Sequence, residues 1–171
     1  AAWAAHGVLA FPDQPLSLEQ QEAFTLALGN FGEDPFVKPM AGHAHILELR
    51  REPHETAPNF GSGWHSDWSF QATPPAATIL HAKVIPPVGG DTMWANMVLA
   101  YERLPQTVKE QIADLRARHS IEFSFGAAMP MEKRLALKER FPDPEHPVVR
   151  THKDTGEKIL YVNGFTTHFT N

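Results

Sequence analysis

"WHSDWSFQATPPAATILHAKVIPPVGGDTMW", Trp64 to Trp94, holds the patterns on which the fold turns. It opens with a histidine and a carboxylate two residues apart, His65 and Asp67, set among Trp64, Trp68 and Phe70. Its centre, "TPPAATILHAKVIPP", reads as a short strand over residues 77–84, bounded by proline pairs. Proline donates no ladder hydrogen bond and therefore sits at strand ends. The stretch closes on "GGDT", where Gly89 and Gly90 read as turn residues leading into a further strand.

If residues 64–70 are extended, side chains two apart share a face. His65 and Asp67 would then meet one ion from a single short segment, with Trp64 and Ser66 projecting the other way. Taken alone, the pair fits a surface strand with a hydrogen-bonded His and Asp better than a metal site, because His-x-Asp recurs by chance.

Outward from this centre the pattern is mixed. Residues 16–30, "LSLEQQEAFTLALGN", read as a helix, with Ser17 as N-cap and Gln20 completing a capping box. "HILELR" alternates as a strand, and "REPHETAPNFGSG" reads as a loop. A helical region is expected over residues 97–118, broken at "RLPQT", where Pro105 fits a helix start. "HSIEFSF" alternates as a strand, and "VVRTH" and "KILYVNGFTTHFT" give two strands around the turn "KDTGEK". Short strands, many prolines and few helices predict an α+β, mainly β protein built on a β-sandwich or jelly roll. No GxGxxG or P-loop stands in the chain, which argues against a doubly wound fold.

The 171 residues suffice for one domain with a sizeable core. The net charge of −5 and the lack of a basic run argue against nucleic acid as a partner. No apolar stretch approaches the length needed to span a membrane, and the N-terminus lacks the basic start of a secretory signal. A cytoplasmic protein is the expectation. With no cysteine, any metal would be held by His, Asp and Glu, a ligand set suited to Fe(II), Mn(II) or Zn(II).

"WHSD", "TPPAATIL", "GGDT" with its following Trp94, "AYERLP" and "HPVVRTHKDTGEKILYVNGFTT" occur in one order. In that order the chain from Phe31 to Thr167 resembles the TauD/TfdA-type Fe(II)- and 2-oxoglutarate-dependent dioxygenases. The resemblance implies a double-stranded β-helix (jelly roll) with flanking helices, and residues 1–171 as a single, incomplete domain of that kind. It implies Fe(II) as metal, 2-oxoglutarate as co-substrate, and O2 and a small organic molecule as partners. A C–H bond of that molecule would be hydroxylated, with succinate and CO2 as co-products. His65 matches the first iron-binding histidine and Asp67 the carboxylate. Thr92 matches a threonine that hydrogen-bonds 2-oxoglutarate, and Phe125 and Phe165 match aromatic positions of the substrate pocket.

The family's second iron-binding histidine and its 2-oxoglutarate-gripping arginine are expected beyond Asn171, and a loop is expected to be missing near 125–128. His146 and His152 read as structural or surface residues; His168 stands where the family commonly has arginine. His43, His45 and His54 read as loop histidines before the motif. Positions that select taurine in its dioxygenases hold Asp34, Val37 and Gly61, so a different sulfonate, a sulfate ester or a carboxylate is the expected substrate. Two other readings stand beside the oxygenase: a cupin-like Zn(II) or Mn(II) enzyme with a third ligand inside the chain, and a non-catalytic jelly-roll binding protein. A homo-oligomer is the usual prior for such enzymes.

Overall fold

The computed structural model describes residues 2–56, 61–122 and 129–171. Phe125 and the expected loop gap at 125–128 lie outside the described residues. The chain divides into two compact units, residues 10–63 and residues 1–9 with 64–171.

The smaller unit is built on local signals. Helix α2 (Leu18–Leu28) follows the short α1 (Ala2–His6) of the larger unit. Ser17 caps α2 as the sequence predicts: its hydroxyl accepts from Gln20 N at 3.2 Å, and the Gln20 side chain accepts from Ser17 N at 2.8 Å. Strands β1 (Pro39–Met40) and β2 (His43–Leu47) pair antiparallel across a turn in which Gly42 takes φ +81°. α2 packs on β2, where Ile46 is buried and His43 lies 3.6 Å from Glu19 and 3.2 Å from Glu22.

In the larger unit, Asn96 caps α3 (Met97–Glu102), and Pro105 starts α4 (Gln106–Ile112) as expected. The helix was expected to continue to residue 118, but the chain turns and forms β3 (Arg116–His119) instead. The reason is tertiary. β3 pairs on one side with β4 (Glu145–Pro147) and on the other with β7 (Thr166–Phe169), so backbone groups on both of its edges find partners. Helix α5 (Met131–Arg140) precedes β4. Strands β5 (Val149–Thr151) and β6 (Lys158–Leu160) form the predicted hairpin, closed by Gly156 N donating to His152 O at 2.8 Å. α3 packs against β6.

The described strands thus form three small antiparallel sheets, ordered β1-β2, β4-β3-β7 and β5-β6. Phe70, fully buried, meets Phe141 and Phe165 edge-on with centroids 5.6 Å and 5.0 Å apart, and Ala117, Val148 and Tyr161 are buried with them. Among the described residues no helix is long and apolar enough to cross a membrane.

Three expectations fail between Trp64 and Asn96, one of them the strand expected after "GGDT", since residues 91–96 form neither helix nor strand. Residues 64–71 form no strand; the chain turns at residues 67–70, with Trp68 at φ +47°. The strand expected over residues 77–84 is absent, and Val84 and Val88 are 90% and 87% exposed. An extended apolar segment becomes a strand only where a neighbour takes its backbone groups, and no described strand lies in register with this one.

Ser17→Ala is expected to lower the unfolding free energy of the smaller unit by about 1 kcal/mol. Urea unfolding of the two proteins, followed by far-UV circular dichroism, checks the loss.

Candidate metal centre

The turn at 64–71 brings His65 and Asp67 together although it is not a strand. His65 Nε2 and Asp67 Oδ1 stand 3.0 Å apart, with both side chains about a third exposed, 30% and 39%. The other oxygen, Asp67 Oδ2, accepts a hydrogen bond from the Thr78 hydroxyl. The carboxylate is thereby oriented, and Oδ1 is the oxygen directed at the imidazole. Two neighbouring ligands about 2.1 Å from a common ion stand about 3.0 Å apart when they subtend a right angle. The spacing of the two donor atoms matches that of a metal-binding pair. Among the described residues no group of three or more His, Asp or Glu is arranged to hold an ion.

Local and long-range contacts together hold the turn. Ser69 N donates to Ser66 O at 3.4 Å and Gln71 N to Trp68 O at 2.9 Å, closing two successive turns. His146 Nε2 lies 2.9 Å from Ser69 O and 3.2 Å from Gln71 O, so it carries its proton there and donates to both carbonyls. Gly164 N donates to Trp64 O at 3.1 Å. A Cβ on Gly164 would stand 3.1 Å from that carbonyl, so glycine lets the two segments meet. Phe70 anchors the far end in the core.

His119 lies beneath this turn and is fully buried. Its Nδ1 is 2.9 Å from Ser69 Oγ, and its ring stacks on Tyr161 with centroids 5.5 Å apart. The Arg150 guanidinium covers the Tyr161 ring at 4.5 Å. Burial, reinforced by His146 and the Arg150 charge, pushes the His119 pKa down to about 4. Burial also lowers that of His146, against the opposing pull of its two carbonyl partners. Both imidazoles are therefore neutral at physiological pH.

The other predicted residues are more scattered. Phe165 is buried against Phe70, and its ring meets the His65 ring edge-on at 6.4 Å. Thr92 is exposed in a segment that forms neither helix nor strand. Asp34 spends Oδ1 on its own turn, accepting from Phe36 N and Val37 N at 2.7 Å and 2.8 Å. His45 stacks on Phe31 at 4.1 Å, His54 is exposed, and His152 accepts from the turn amides of Asp154 and Thr155. His168 is exposed on β7, beside a cleft with Arg118, Glu122 and Asp143.

The sequence reading missed Ser69, Thr78 and His119. For His119 a signal existed: alternation along "RARH" puts Ala117 and His119 on the same, inward face. Nothing local marks Ser69 as the point where the turn meets the sheet.

The whole chain, residues 1–171, matches the taurine catabolism dioxygenase TauD, TfdA family. The protein belongs to that family. It is 34% identical to an alpha-ketoglutarate-dependent sulfate ester dioxygenase of Pseudomonas putida, over 96% of this chain and 56% of the relative. It is 33% identical to the alpha-ketoglutarate-dependent 2,4-dichlorophenoxyacetate dioxygenase of Cupriavidus pinatubonensis, over 94% and 61%. An alkylsulfatase of Acinetobacter baylyi is 36% identical over 94% and 52%. The chain thus spans about half the length of the curated relatives it matches. Among solved structures, AAD-2 in complex with Mn(II) and N-oxalylglycine aligns with a TM-score of 0.69 at 29% identity, covering 98% of this chain and 58% of that one. A taurine dioxygenase from Burkholderia xenovorans aligns at 0.68 with 32% identity, covering 92% and 50%.

The buried neutral His119 makes a pH prediction. Its folded pKa lies below the ordinary 6.5, so between about pH 6.5 and 4 the unfolded chain binds more protons than the folded one. The stability this imidazole contributes is complete above about pH 6.5 and is lost as the pH falls toward 4. Between pH 7 and 4.5 the wild type is expected to lose about 2–3 kcal/mol more than His119→Asn. Urea unfolding of the two proteins across that range checks it.

Proposed function

We propose that the protein is an Fe(II)- and 2-oxoglutarate-dependent oxygenase that hydroxylates a C–H bond of a small organic anion. The observation that carries this reading is the 3.0 Å pairing of His65 Nε2 with Asp67 Oδ1 on a solvent-reached turn. Membership of the family supports the reading, in which these two residues would serve as iron ligands. The fold proposed for the whole protein is the double-stranded β-helix with flanking helices. The three small sheets would be part of it, within a single dioxygenase domain.

In this reading His65 and Asp67 would hold Fe(II). Bound Fe(II) with 2-oxoglutarate and O2 supplies the oxidising equivalent, with succinate and CO2 as co-products. The chain's own residues prepare that chemistry. Thr78 fixes the Asp67 carboxylate so that one oxygen is presented. Phe165 closes the space beside the His65 ring and keeps water from that side. Thr92 is assigned to a 2-oxoglutarate carboxylate, and Phe125 and Phe165 to the substrate wall. The relatives act on sulfate esters and 2,4-dichlorophenoxyacetate, as their names state, and these support an anionic substrate with an apolar tail. A cytoplasmic setting and a homo-oligomer accord with this activity.

Asp67→Ala in the full-length protein is expected to cut Fe(II)-dependent succinate release from 2-oxoglutarate at least 100-fold, with an unchanged circular dichroism spectrum. Succinate release at the wild-type rate would remove Asp67 from the site and the reading with it.

A further inference from the structure

The hydrogen bonds beneath the His65–Asp67 turn close into a circuit whose directions can be assigned one by one. Phe165 N donates to Asn163 Oδ1 at 2.9 Å, which fixes that atom as oxygen. Ser69 Oγ, 3.2 Å away, must therefore donate to it. A hydroxyl has one hydrogen, so Ser69 Oγ can only accept from His119, and Nδ1 of His119 carries the proton over their 2.9 Å contact. On the other side, Asn163 N donates to Thr166 Oγ1 at 3.1 Å. The Thr166 hydroxyl hydrogen is then available to His119 Nε2, at 3.5 Å. The loop runs from His119 to Ser69 to Asn163 to Thr166 and back to His119. Every member has one direction, and the irregularity between Arg118 and His119 in the β3–β7 pairing brings Thr166 opposite His119.

Three features tie this circuit to the ion-binding pair rather than to packing alone. Its hub, Ser69, is fully buried and lies two residues after Asp67. Ser69 O, on the same residue, accepts from His146. Asn163 adjoins Gly164, whose amide holds the Trp64 carbonyl beside His65. Both ends of the turn are thus fastened to one network. A turn without helix or strand, carrying a left-handed Trp68, has no regular ladder to hold its ligands in place.

We propose that His119 is a positioning residue for the metal centre: through Ser69 it holds the His65–Asp67 turn in the geometry that accepts an ion. The assignment rests on the metal reading above and deepens it. Outer-shell partners of this kind commonly change metal affinity by about 10–100-fold. His119 touches neither the ion nor substrate in this arrangement and acts through the serine.

The test uses the full-length protein in two measurements. The first is amide hydrogen exchange of the metal-free protein across residues 64–71; the second is Mn(II) affinity by electron paramagnetic resonance. His119→Phe keeps a ring over Tyr161 and removes both hydrogen bonds. His119→Asn keeps a donor near the Nδ1 position. The expected result is exchange across the turn about 10-fold faster or more in His119→Phe, with Mn(II) affinity weakened about 10-fold or more and both restored to within about threefold in His119→Asn. Wild-type exchange and affinity in His119→Phe, with only a lower melting temperature, would overturn the proposal. If His119→Phe does not fold, Ser69→Ala removes the hub at little change of volume and is read the same way. If the wild type itself binds no Mn(II), the metal reading fails. Exchange alone then decides positioning: faster exchange in the variants supports it, and unchanged exchange overturns it.

Discussion

The segment that brings His65 and Asp67 together depends on the hydrogen bonds that tie it to a sheet. His65 and Asp67 belong to no helix or strand, so nothing in their own segment fixes their separation. The β4-β3-β7 sheet supplies what is missing. His146 on β4 clasps two carbonyls of the turn, His119 at the end of β3 meets Ser69, and the segment leading into β7 holds both Ser69 and the Trp64 carbonyl. Burial keeps both imidazoles neutral at physiological pH. The aromatic cluster of Phe70, Phe141 and Phe165 keeps water from the same region and lets the polar contacts act at low dielectric.

What the sequence revealed follows the range of each interaction. The capping box of Ser17 and Gln20 was legible because both partners lie within one turn of helix. The β5-β6 hairpin was legible because "KDTGEK" states its own turn. The helix expected up to residue 118 stops at Ile112 because β3 finds partners on both sides, which no local propensity records. The strand expected over residues 77–84 fails for the converse reason: its apolar residues are present, but no described strand pairs with them.

The site divides in the same way. His65 and Asp67 were legible as a motif, although the strand geometry first used to pair them is replaced by a turn. Phe165 was legible as an aromatic position and lies beside the His65 ring. The residues that hold the turn were not legible. His119 is 50 positions from Ser69, and His146 is 77 positions from it. Such contacts exist only once the sheet has formed. The lesson is physical: a motif can be read from spacing, whereas the contacts that hold it in place are read from the fold.

The central claim is that His65 and Asp67 form part of an iron site that also takes 2-oxoglutarate. Its most direct test is anaerobic addition of Fe(II) and then 2-oxoglutarate to the full-length protein, followed by visible spectroscopy. The account predicts a charge-transfer band that needs both additions and is lost in His65→Ala. A correctly folded protein that gives no band, or a band undiminished in His65→Ala, would contradict it.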